Sequence, residues 1–139
     1  MHSDLAAWQV ALRGHVFPLL KSSTLLALEA ELESGGHHLI HRQFCDPPPL
    51  HALSDRKPVA YCLLGYCAAQ EAHTETGEQV QEWIADLGGK VGYHTSCAVM
   101  NFWDSSGAAM PELHDCVVRE KVLSEVREEL ASRTRLKTA

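Results

Sequence analysis

The stretch from Pro58 to Gln70, PVAYCLLGYCAAQ, decides the reading of this chain. It carries no charge from end to end, with Lys57 before it and Glu71 after it. Val59, Leu63 and Tyr66 share one face at helical spacing. Cys62, Leu64 and Ala68 widen that face until little polar surface remains. A helix that is apolar on all sides belongs in the middle of a bundle. The run is too short for a bilayer, which needs about 20 apolar residues. Pro58 suits a first helical turn and Asp55 is placed to cap it. The sequence therefore predicts a central helix that opens at Pro58 and ends near His73.

Downstream, Thr76 with Gln79 three residues on forms a capping-box pattern. Val80, Trp83, Ile84 and Leu87 then mark one helical face, and Gly88-Gly89 reads as its stop. The apolar run Cys97 to Trp103, CAVMNFW, reads as a short buried helix, with a strand as the alternative. A last helix opens at Pro111. Leu113, Cys116, Val117, Leu123, Val126 and Leu130 form its stripe, and Arg133, Arg135 and Lys137 lie near its end, where the helix dipole favours cations.

Upstream, Leu5, Trp8, Leu12, Val16 and Leu19 draw one apolar stripe along a first helix. Ser22, Ser23 and Thr24 supply a turn and cap for a second, in which Leu25, Leu28 and Leu32 face inward and Glu29, Glu31 and Glu33 outward. Gly35-Gly36 closes it. The short gap between these two helices predicts an antiparallel hairpin. From His37 to Lys57 the chain changes character. Pro47, Pro48 and Pro49 force an extended segment, so this stretch reads as a connector crossing the bundle surface.

The expected fold is mainly α: a single domain over residues 1–139, a bundle of about five helices with a proline-rich crossing loop, judged by helix count and loop length. The alternative is an α+β fold with strands near Leu39–Phe44 and Ala98–Phe102.

Composition narrows the function classes. Twelve basic against eighteen acidic residues give a formal charge of −6, which disfavours nucleic acid as a partner. The opening MHSDLAAWQV has neither the basic start nor the apolar core of a signal peptide, and no run spans a membrane, so a cytoplasmic location is expected. Five scattered cysteines suit reduced thiols, with Cys62, Cys67 and Cys97 in apolar surroundings. The chain is rich in histidine: protonating all nine, each adding one charge, takes the formal charge from −6 to +3.

Three candidate chemistries follow. His37, His41 and Cys45, at i, i+4 and i+8, would stack on one side of a helix as zinc ligands, with His51, His114 or Cys116 as a fourth. No CxxC or HExxH motif accompanies them. Cys45 and Cys116 have polar neighbours, Asp46 and His114-Asp115, which is the minimum for a cysteine-dependent enzyme. Cys62 and Cys67 lie about 140° apart on a helix and cannot share an ion. Gly88-Gly89-Lys90 lacks the Ser or Thr and the first glycine of a phosphate loop, and no other cofactor motif is present. Phe102, Trp103 and Asp104 place two large aromatics at a loop edge, the composition of a partner-binding anchor if Trp103 is partly exposed. The expected function is thus binding of another protein, as a small non-enzymatic accessory subunit, adaptor or inhibitor. A zinc-binding domain and a cysteine enzyme are the alternatives.

Overall fold

The central helix forms, but it opens at Leu63 rather than at Pro58. In this computed structural model, which describes residues 2–47, 56–104 and 114–138, the chain is mainly α-helical with one very small sheet. Strand β2 (Ala60–Tyr61) pairs antiparallel with β1 (Cys45–Asp46), Cys45 opposite Tyr61 and Asp46 opposite Ala60. Leu39 bridges Tyr61 from the other side. Four backbone bonds hold this stretch extended: Val59 N to Asp46 O (2.9 Å), Cys62 N to Phe44 O (2.8 Å), Tyr61 N to His38 O (2.9 Å) and Ile40 N to Tyr61 O (2.8 Å). An extended segment satisfied on both edges gains nothing by coiling into a first helical turn. Val59, expected on the buried face, is 68% exposed. Asp55, its expected cap, lies outside the described residues.

Helix α3 (Leu63–Ala72) is capped instead by the Cys62 thiol, whose sulfur accepts a hydrogen bond from Gly65 N at 3.2 Å. It closes at His73, which takes the left-handed conformation at φ 52. Every residue from Leu63 to Ala68 is buried, as a central helix requires. Gly65 has a specific duty: a Cβ there would sit 2.7 Å from Phe44 O, so only a residue without a side chain lets the 37–47 segment approach α3 this closely.

The first stripe changes helix type along its length. Helix α1 (His2–Ala11) passes into a π-turn (Leu12–Val16) and then a 3-10 turn (Phe17–Leu19). The wider and then tighter winding rotates the face, so Phe17 and Leu20 are buried while Leu19 is 49% exposed. Helix α2 (Ser22–Glu33) follows after an extended Leu20-Lys21. The expected α1–α2 hairpin is not formed: α1 packs chiefly on the helix Tyr93–Asp104 and α2 on the helix Asp115–Thr138. Extended backbone at both joining residues carries α2 away from α1. Nor does a local serine cap α2. Glu71 of α3 reaches its N-terminus and accepts from Lys21 N at 2.7 Å and Thr24 Oγ1 at 2.5 Å, where a carboxylate meets the positive end of the helix dipole.

Helix α4 (Gly77–Val91) begins as its capping box predicts, with Thr76 Oγ1 accepting from Gln79 N at 3.2 Å. It runs through Gly88-Gly89 and stops at Gly92, φ 97. Helix α5 (Tyr93–Asp104) contains the whole CAVMNFW run, so no strand forms there. Helix α6 (Asp115–Thr138) buries Val118, Val122 and Val126 at four-residue spacing, with Leu123 and Leu130 half-buried and Cys116 exposed. Leu123, Val126 and Leu130 face the core as expected, while at the start of the helix Val118 takes the place expected of Cys116 and Val117. Leu113 and Pro111 lie outside the described residues.

The core gathers Trp8, Phe17, Leu25, Leu28, Leu63, Leu64, Val80, Val99, Phe102, Trp103 and the α6 valines. Burying each large apolar side chain stabilises the fold by about 1.5–3 kcal/mol. A seam of charge binds α6 to its neighbours. Arg13 pairs with Glu125 and Glu129 at 3.4 Å, and Arg133 pairs with Glu129 at 2.9 Å and donates to Phe17 O at 2.6 Å. Arg127 bridges to Glu29 and Glu33 of α2. Glu29 and Glu33, expected only to face outward, are therefore joints between helices, as Glu125 and Glu129 are.

Candidate functional site

Two groups of candidate residues meet at the end of α5. Trp103 has no exposed surface and Phe102 is 1% exposed. Neighbours on a helix point about 100° apart, and the two rings reach different partners. Phe102 stacks on Trp8 of α1 with centroids 3.8 Å apart. Trp103 stacks on His41 with centroids 4.2 Å apart and donates from Nε1 to Ile40 O at 2.8 Å. The expectation that Trp103 is partly exposed is thereby corrected: the 37–47 segment covers it, and its indole N–H is satisfied inside the protein. Neither aromatic ring is open to a partner.

Asp104 and Asp115 complete the junction. Asp104 Oδ1 accepts from Arg42 N at 2.7 Å, and the Arg42 guanidinium holds both oxygens of Asp115 at 3.0 and 2.7 Å and the Asp104 carbonyl at 3.1 Å. Arg42 adopts φ 71, a left-handed backbone that disfavours a β-carbon. The bonds it makes in that conformation compensate a strain of about 1–3 kcal/mol. The Arg42 guanidinium holds the Asp115 carboxyl below its usual range, while burial pushes that of Asp104 up.

His41 sits at the centre, its side chain only 3% exposed. Its Nδ1 donates to Trp103 O at 2.6 Å and lies 3.7 Å from Asp115. That bond assigns the proton to Nδ1 and leaves Nε2 the acceptor. Nε2 is buried and has no hydrogen-bond partner among the described residues. Burial lowers the pKa of this imidazole, against the opposing pull of the Trp103 carbonyl and Asp115, while Arg119 and Arg42 lower it further. Stacking of a cation on indole is worth about 0.5–2 kcal/mol. Leaving a buried polar group unsatisfied costs about 1–3 kcal/mol, and more when it is charged. The neutral imidazole is favoured.

The helical spacing on which a zinc site depended does not exist, because residues 37–47 are bends and short extended pieces held to β2. His37 is exposed beside Gly35, and the Cys45 thiol donates to Pro47 O at 3.2 Å. Among the described residues no three His, Cys, Asp or Glu side chains are placed to hold an ion. Of the two thiols with polar neighbours, Cys45 is buried, and burial with Asp46 nearby pushes it up to about 11. That disfavours the reactive thiolate at neutral pH. Cys116 is exposed on α6. Burial pushes Cys62 up to about 12 and raises Cys67 as well, as core thiols.

Of the surface concavities, two have a large apolar side chain exposed in them. A cleft of about 820 Å³ lies over α3 and the residues before β2, with Tyr61, Tyr66 and Val59 along it and Lys57, His73 and Glu75 at its rim. Glu31 on its edge accepts from His38 N at 2.8 Å and meets His38 Nδ1 at 2.9 Å. Those contacts hold its carboxyl below the usual range although burial works the other way. The second, about 450 Å³, is a groove between α1 and α5 lined by Ala7, Val10, Ala11, His15, His94 and Ala98. Val10 is 61% exposed there, and Tyr93, 75% exposed, meets the edge of His94 with centroids 5.9 Å apart. No signal in the sequence marks this groove, since Val10 and Tyr93 lie off the stripes that predict the core. Comparison with protein-family models, curated proteins and solved structures finds no match.

Proposed function

We propose that this protein works by binding another protein, as an accessory subunit, adaptor or inhibitor, and that the α1–α5 groove receives the apolar ridge of a partner helix. The observation that carries the reading is the composition of that groove. Ala7, Ala11 and Ala98 keep it shallow and let another backbone come close, and ridges of one helix pack into such grooves of another. Val10 and Tyr93 leave large apolar surface in water at its margin, and an aromatic residue at the edge of an apolar patch is the composition of a binding hot spot. The raised Cys45 thiol lends no support to a cysteine enzyme.

The test is capture of partners from native lysate by wild type, by Val10→Asp and by Val59→Asp. Both substitutions are at exposed positions, so both variants are expected to melt like wild type. A partner held by wild type and Val59→Asp but lost by Val10→Asp supports the groove. A partner retained by Val10→Asp and lost by Val59→Asp moves the site to the Tyr61–Tyr66 cleft, and retention by both removes the two concavities together.

A further inference from the structure

We propose that His41 is a proton-operated latch: neutral, it fastens the 37–47 segment onto the end of α5, and on protonation it lets that segment go. The argument begins with the hydrogen bonds of the ring. Nδ1 donates to the Trp103 carbonyl, so a second proton goes to Nε2, which is buried with no acceptor in reach among the described residues. Water would satisfy that new N–H⁺, and water reaches it only when the segment lifts away from Trp103.

The charges facing His41 do not offset this. Asp104 comes from α5, Asp115 and Arg119 from α6, and Arg42 from its own segment. Asp115 is the nearest carboxylate, on the Nδ1 side at 3.7 Å, and both its oxygens are already taken by Arg42. Asp104 receives the Arg42 backbone N–H. Arg42 and Arg119 add positive charge beside any imidazolium. The ring is flanked by carboxylates that are engaged elsewhere and by two guanidiniums.

The moving part is defined by its contacts. Lifting His41 breaks the Nδ1 bond to Trp103 O and the indole bond from Trp103 Nε1 to Ile40 O. It also relieves the left-handed backbone at Arg42, and it takes Arg42, Gln43 and Phe44 off the small surface pocket of about 210 Å³ that they form with Met100 and Asp104. The result is an acid-dependent opening confined to one end of the bundle. It goes beyond the binding proposal and does not depend on it.

Hydrogen exchange of the Trp103 indole N–H, read by NMR on the full chain and corrected for the intrinsic exchange rate, reports the opening directly. Wild type is expected to open more readily as the pH falls from 7.5 to 5.5, by up to about tenfold per pH unit as one proton is taken up. His41→Phe keeps a stacked ring without a titrating nitrogen and should make the opening independent of pH in that window. A flat wild-type profile overturns the latch, as does an unchanged pH dependence in His41→Phe. Where His41→Phe does not fold, the wild-type ring decides: His41 resonances that titrate with no change in Trp103 protection overturn the proposal, and the two changing together support it.

Discussion

The His41–Trp103 junction and the α6 charge seam join distant parts of the chain through polar groups, and they do so in opposite ways. At the junction the His41 and Trp103 side chains are buried, with His41 Nε2 unpartnered among the described residues, while Arg42 and Asp115 at its edge meet water. Along α6 the ion pairs are partly wet: Arg127 is 49% and Glu33 65% exposed. A buried polar contact depends on desolvation and therefore on protonation. A solvated ion pair depends on screening and therefore on salt. The same fold thus has one joint that answers to pH and another that answers to ionic strength.

The comparison breaks most readily at Trp103. Trp103→Ala should destabilise by about 3–5 kcal/mol in chemical denaturation, since it empties a fully buried site and strands the Ile40 carbonyl. A loss below about 1 kcal/mol would mean the ring does not hold the segment. Gly65→Ala should follow at about 1–3 kcal/mol, because the new methyl meets the Phe44 carbonyl and pushes the same segment outward.

Acid sharpens the contrast next. His41 is neutral in the fold and protonates below its ordinary value of 6.5 in the unfolded chain, so its contribution is fully present above 6.5 and declines as the pH falls. One such group sets a slope of at most about 1.4 kcal/mol per pH unit. Asp115 and Glu31 are lowered in the fold, so their contributions are lost only in more acidic solution, below ordinary values of 3.8 and 4.5. Asp104, raised by burial, works the other way and gains as it protonates. Thermal melts from pH 7.5 to 5.5 should therefore show falling stability, and His41→Phe should flatten the decline. A wild-type midpoint that holds steady to pH 5.5 contradicts this.

On the α6 side the effects are smaller. Arg133→Ala should cost about 1–2 kcal/mol, because this guanidinium is half-buried and also holds the Phe17 carbonyl. Arg127→Ala should cost less than about 1 kcal/mol, with the difference from wild type shrinking as salt is raised toward about 1 M, where the Debye length falls to about 3 Å, the scale of its exposed contacts to Glu29 and Glu33. A salt-independent loss would place Arg127 with the buried joints.

Much of the scaffold was legible because local and tertiary signals agree. Thr76, Gln79, Val80, Ile84 and Leu87 name α4 by capping and period alone, and the structure places each as expected. The start of α3 was misread because Pro58 and Val59 fit a helix as well as a strand. Only the backbone partners at His38, Ile40, Phe44 and Asp46 decide between them. Only the start of the α6 stripe is displaced, because Val117 and Val118 are both apolar, and which of them turns inward is fixed by α2 and α5. The junction was not legible at all. Its residues come from three separate segments, and Trp103 at a loop edge reads as exposed until the segment that covers it is in place.

The contact between Glu71 and the start of α2 has a bearing on how this chain is made. Many helices carry their own cap within a residue or two, so their first turn needs no distant residue to satisfy it. Here the group that receives Lys21 N and Thr24 Oγ1 is supplied from the far end of α3. During synthesis α2 must wait, frayed at its first turn, until that later helix has emerged and docked. Its N-terminal turn is completed only by long-range closure, and a chain released before Glu71 would carry α2 with an open end.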